Sequence, residues 1–216
     1  MINQIVNGDY LKSLDNIIQW QEIDVFKKES VASHSYKVAV IARILLEDVL
    51  PDKDAFCNLF KLEVTTACLF HDWDEILIRR DISHDTKYNE YNGDLLRQTL
   101  NDYVKYRAKQ EFKEKDVELL MGERSATETM LSEAMMVQEK AVKSFVKVCD
   151  WMALMHYVLR EISLGNVRFL VTKEYCSNSL IKAIDVLIRD IERHPVFFDV
   201  TKNICILQKL KDYGRD

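Results

Sequence analysis

A histidine and an aspartate stand side by side at His71-Asp72, where the apolar run LEVTTACLF gives way to HDWDE. The run places two groups that can bind a metal at the edge of a core. His34 lies upstream in ESVASHSYKVAVIARILL and Asp150 downstream in AVKSFVKVCDWMALMHYVL, each inside a stretch that otherwise reads as buried helix. An ionised carboxylate among Phe145, Val146, Val148, Cys149, Trp151, Met152 and Leu154 is costly unless something compensates it. A divalent cation held by two imidazoles and two carboxylates would compensate Asp72 and Asp150 together. Mixed nitrogen and oxygen donors suit Mn, Fe, Co, Ni or Zn better than Ca, and Mg is less natural with two histidines. Taken singly, His34, His71 and Asp150 each read as hydrogen-bonded structural residues. Facing inward from three separate helices, they read together as a metal set.

The elements that must position these groups are helices. Ser13 can cap a short first helix carrying Leu14, Ile17, Ile18 and Trp20, followed by a polar loop, QEIDVFKKE. From Ser30 or Ser33 onward, Val31, His34, Val38, Ile41, Ala42 and Leu45 share one helical face, so His34 points inward with the aliphatics. Pro51-Asp52 breaks the chain, and a helix is expected from about Asp54 to Leu77, with Leu59, Leu62, Thr66, Leu69 and Trp73 along one side. RRDISHDTKYNEYNGD reads as a loop or lid beside that helix end. Leu95 to Met121 is a long charged helix or helix pair stopped at Gly122, and Ser125 to Ser163 is again helical. Within it, Phe145 to Leu159 is apolar nearly all round, the pattern of a central helix. Gly165-Asn166 ends it. A helix from about Lys173 to Arg193 then carries Leu180, Ile184, Leu187, Ile188 and Ile191 up to Pro195, and Val200 to Leu210 forms a terminal helix. Only VRFLVT hints at a strand. The expected fold is all-α, a helical bundle forming a single domain over residues 1–216.

Composition agrees. Five Gly and two Pro in 216 residues are too few for a meander of short strands. A net charge of −5 gives no overall attraction to nucleic acid or to an anionic membrane. Nowhere do 18 apolar residues run together, and the N-terminus lacks a basic segment followed by an apolar one. The five cysteines, Cys57, Cys68, Cys149, Cys176 and Cys205, are odd in number and contain no C-x-x-C pair. Reduced thiols and a cytoplasmic location are expected.

The order H…HD…D on helices resembles the HD-domain metal-dependent phosphohydrolases. More specifically, ESVASHSYKVAVIA, FHDWDEIL with RRD and TKY following, and KVCDWMALMHYVLREISLGN are similar to the corresponding stretches of the YfbR-like 5′-deoxynucleotidases. The resemblance covers about Gln19 to Asn166, with the helices over 173–213 packing on that core. It implies an HD-type bundle and metal ligation by His34, His71, Asp72 and Asp150. Glu75 would orient or deprotonate a water. Asp81, one residue further out than the family's usual spacing, would act as general acid toward the leaving oxygen.

The same resemblance makes Trp20 a pocket residue beside a deoxyribose, although a structural aromatic is an equal reading of that position. The family places an arginine before this tryptophan to hold phosphate, whereas here the residue is Gln19, and a neutral amide cannot replace a bidentate guanidinium. Lys87 is the expected substrate-binding cation, with Lys27, Lys28, Arg79 and Arg80 as other sources of charge. The leading expectation is hydrolysis of the 5′-phosphate from deoxyribonucleoside monophosphates. One alternative keeps the site and releases triphosphate from a deoxynucleoside triphosphate. Another is a helical nucleotide-binding or regulatory protein with a structural metal. His84, Glu133, His156 and His194 are assigned no role. Tyr88, Tyr91, Tyr103 and Tyr106, if exposed, would mark a homodimer contact, with core packing as the equal explanation.

Overall fold

The computed structural model describes residues 15–20, 24–50, 55–72, 75, 81, 98–99, 102–103, 106, 132–193 and 200–213. Its long elements are all helical: α1 (Val31–Val49), α2 (Ala55–Phe70), α3 (Ser132–Ser163), α4 (Phe169–Glu192) and α5 (Val200–Tyr213). No strand occurs among the described residues, only an isolated antiparallel bridge between Ile18 and Ser30. The chain divides into two compact units, one of Met1–Ser33 with Asp72–Met130, the other of His34–His71 with Leu131–Asp216. No helix of the described residues is long and apolar enough to cross a membrane. All five cysteines are free thiols, four of them buried and Cys205 exposed.

In the second unit the 32-residue helix α3 is the centre, packing against both α2 and α4. Its apolar positions face more than one neighbour, as the near-continuous hydrophobicity of Phe145 to Leu159 predicts. Phe145 meets Phe60 of α2 edge-on at 5.8 Å between ring centroids, while Tyr157 meets Phe169 of α4 at 6.0 Å. Burying such side chains stabilises by roughly 1.5–3 kcal/mol each. Between α3 and α4, Ser144 Oγ donates to Asp190, and Lys211 of α5 pairs with Asp185 at 2.7 Å.

Two expectations about α2 are corrected. The helix ends at Phe70, with His71 and Asp72 in the turn that follows rather than inside a helix running on to Leu77. The side that carries Leu59, Leu62 and Leu69 is not the buried one: they are 58%, 62% and 43% exposed. The buried face instead carries Cys57, Phe60, Lys61, Val64 and Cys68. Lys61 belongs there because its ammonium reaches Glu47 of α1 at 3.0 Å, so the buried stem ends in an ion pair.

VRFLVT forms no strand, since Val167 and Arg168 lie in a turn and α4 begins at Phe169, four residues before the expected Lys173. Trp20 is not on a first helix; it sits in a turn with φ +61°, following a segment in which Gln19 N–H donates to the Glu29 carbonyl. Tyr103 and Tyr106 are exposed, and Tyr88 and Tyr91 lie outside the described residues.

Gly165 terminates α3 as expected. Its φ is +94°, and paired bonds close the end: Gly165 N–H to Ile162 and Asn166 N–H to Glu161, a Schellman arrangement. The fully buried Glu161 accepts a further bond from Asn166 Nδ2 at 3.0 Å. A Cβ at Gly165 would meet nothing within 4 Å, so substitution there costs backbone strain without a clash. Gly165→Ala is expected to lower unfolding stability by about 1–2 kcal/mol, and Gly165→Asn by less, because asparagine tolerates the left-handed region. Urea denaturation of the two variants measures this difference.

Candidate metal centre

Three donors, two on helices and one in the turn after α2, converge in the second unit. His34 comes from the first turns of α1, where the apolar face of Val31, Val38, Ala42 and Leu45 carries it inward to 1% exposure. Asp150 lies midway along α3, and His71 is held where α2 gives way to a turn. His34 Nε2 stands 3.1 Å from Asp150 Oδ1, and His71 Nε2 stands 3.8 Å from the same oxygen. The two imidazole centroids are 5.4 Å apart, and one donor atom from each of the three residues lies within 4.8 Å of the others.

The tautomer of His71 follows from the chain itself. Its Nδ1–H donates to the Cys68 carbonyl at 2.8 Å, one turn back, which directs the Nε2 lone pair toward Asp150. A backbone carbonyl on the far nitrogen is the usual support for a metal-binding histidine. Donor atoms about 2.1 Å from a common ion lie roughly 3.0–3.5 Å from one another, so the observed separations need only small adjustments to accept one. The donor chemistry, two neutral imidazoles and a carboxylate, fits a first-row transition ion.

Electrostatics keeps Asp150 ionised. Burial alone would raise its carboxyl, but the hydrogen bond with His34, the nearby His71 ring and the Lys147 charge hold it well below its ordinary value near 3.8. Around it the thiols remain protonated: contact with Cys68 and burial push Cys149 up, while burial and then the Asp150 charge push Cys176 up to about 12. The donor cluster among the described residues comprises His34, His71 and Asp150.

In the first unit, Asp81 accepts the backbone N–H of Trp20 at 2.8 Å through Oδ2. That bond, 61 residues apart in sequence, secures a left-handed tryptophan, a conformation that costs a non-glycine residue of order 1–3 kcal/mol. Gln19 is buried to 6% exposure, and its Oε1 meets no hydrogen-bond partner among the described residues. Glu75 is 1% exposed and helical, with its N–H donating to the Asp72 carbonyl at 3.1 Å. Asp72 follows His71 in the turn that ends α2. Lys87 lies outside the described residues, as do Arg79, Arg80, His84 and His194. Lys27, Lys28 and His156 are exposed.

Sequence reasoning missed Lys147, whose Nζ lies 3.1 Å from Asp150 Oδ2. The signal was present as a lysine three positions before an aspartate on a helix. It also missed the Cys68 carbonyl, which the equivalent spacing before His71 could have suggested.

The chain matches the family model described as 5′-deoxynucleotidase YfbR-like over residues 8–191. No curated protein matches it. Among solved structures, an HD-domain phosphohydrolase from Listeria innocua superposes with a TM-score of 0.62 at 18% identity, covering 100% of this chain and 90% of that one. At that identity the likeness speaks for the fold. With a helical HD architecture, clustered His and Asp donors, and a family match spanning most of its length, the chain is a hydrolase belonging to the YfbR-like 5′-deoxynucleotidase family.

Proposed function

We propose that this chain removes the 5′-phosphate from deoxyribonucleoside monophosphates in a metal-dependent hydrolysis. The observation that carries the reading is the convergence of His34, His71 and Asp150 on donor atoms within 4.8 Å, in a chain of this family. These three would hold the ion, with Asp72, the next residue after His71, as the fourth ligand. The ion would be Mn, Fe, Co, Ni or Zn, and it would polarise a phosphoryl oxygen and lower the pKa of a bound water.

The protein residues then have separate tasks. Glu75 takes a proton from the attacking water as its oxygen bonds to phosphorus. The bond from phosphorus to the 5′-oxygen breaks, and Asp81 protonates that oxygen, giving a nucleoside and inorganic phosphate. With Oδ2 accepting the Trp20 N–H, Oδ1 is the Asp81 atom that would carry the proton. Asp81 thereby ties the general acid to the loop that bears Trp20, the residue proposed to pack beside the sugar, and Gln19. Lys87 is proposed as a phosphate-binding cation. Exposed Tyr103 and Tyr106 support a homodimer contact on their helix face.

A second reading, release of triphosphate from a deoxynucleoside triphosphate, is favoured by one observation. Gln19 is a buried neutral amide where the monophosphatases carry an arginine, which removes the charge best suited to a compact terminal phosphate.

Incubating metal-loaded protein with mono-, di- and triphosphates of ribo- and deoxynucleosides, followed by orthophosphate assay and chromatography, separates the two. Orthophosphate and nucleoside from deoxynucleoside monophosphates are expected; triphosphate release would establish the second reading. Asp150→Ala should lose bound metal, measured by elemental analysis, and lower turnover by more than about 100-fold, beyond the range typical of a residue that only supports a ligand. Glu75→Gln should keep the metal and lower kcat by about 10²–10⁴-fold.

A further inference from the structure

The two oxygens of Asp150 have different neighbours. Oδ1 faces the imidazoles of His34 and His71 at 3.1 and 3.8 Å, whereas Oδ2 meets the Lys147 ammonium at 3.1 Å. Lys147 sits one turn before Asp150 on the same face of α3, which is why the ammonium can reach the carboxylate. The ammonium lies 5.0 Å from the centroid of the Trp151 ring, and the side chain is only 35% exposed. An aspartate carboxylate is broadly two-fold about its last torsion, so without such a partner either oxygen, or both, could turn toward an ion.

We propose that Lys147 is a positioning residue for the metal centre, holding Asp150 so that Oδ1 alone is presented to the ion while Oδ2 is kept out of its coordination. The proposal rests on the metal reading above. Its consequence is a coordination position left open for water or a phosphate oxygen, which a carboxylate binding through both oxygens would close. The charge of Lys147 has an opposite effect, since a fixed cation repels a nearby ion. Removing the side chain would mix the two effects, so the test must vary the hydrogen-bond donor at constant charge.

Lys147→Gln keeps an N–H donor without charge, Lys147→Met keeps neither, and Lys147→Arg keeps both. Each full-length variant is loaded with Co(II), checked for helical circular dichroism, and titrated with inorganic phosphate while the visible cobalt bands are recorded. Lys147→Met should show weaker absorption per cobalt, the mark of an added ligand, and at least about 10-fold weaker phosphate binding than Lys147→Gln. Lys147→Arg should match the wild-type spectrum. Identical spectra and phosphate affinities for Lys147→Met and Lys147→Gln would overturn the proposal. If Lys147→Met fails to fold, Lys147→Leu takes its place in the same comparison. A wild-type chain that takes up no Co(II) would overturn the metal reading itself, and the proposal with it.

Discussion

Asp150 lies in the middle of a helix whose neighbouring positions are buried, and a carboxylate at 13% side-chain exposure cannot remain ionised there without partners. Its partners come from three places: His34 on α1, His71 at the end of α2, and Lys147 on α3 itself. Each must be delivered by an element that is packed for other reasons. The apolar face of α1 carries His34, while the Phe60–Phe145 contact packs α2 against α3. The compensation of one buried charge thus fixes what three helices must do.

The supports of the centre are local and inexpensive. A carbonyl one turn back sets the His71 tautomer, and a lysine one turn back orients the Asp150 carboxylate. Neither needs a long-range contact, so both survive as long as α2 and α3 hold their ends and register. The far end of α3 is secured independently by Gly165, Asn166 and the buried Glu161. Cys68 and Cys149 are buried free thiols beside the donors, and the Cys68 carbonyl is the one that His71 meets.

Helix identities were largely legible in the sequence because residues at three-and-four spacing and turn signals such as Gly165-Asn166 act locally. His34 read as inward because its aliphatic companions leave only one face for burial. Helix α2 was ambiguous: Leu59, Leu62 and Leu69 form one apolar stripe, and Cys57, Phe60, Val64 and Cys68 form another. Periodicity alone does not choose between them; packing against α3 selected the second, with Lys61 admitted through its bond to Glu47. Trp20 was misplaced on a helix because its left-handed backbone depends on a carboxylate 61 residues away.

By itself, then, the sequence determined the helical class, the inward direction of His34 and Asp150, and the donor types that make a transition ion the natural partner. Those properties follow from residue chemistry and from periodicity within single helices. Tertiary structure decided which face of α2 is buried, that two imidazoles share one oxygen of Asp150, and that Lys147 occupies the other. It also decided that Asp81 holds the backbone of Trp20. These are pairings between distant segments or choices of rotamer, and no spacing rule along one helix specifies which of several available partners a side chain will meet.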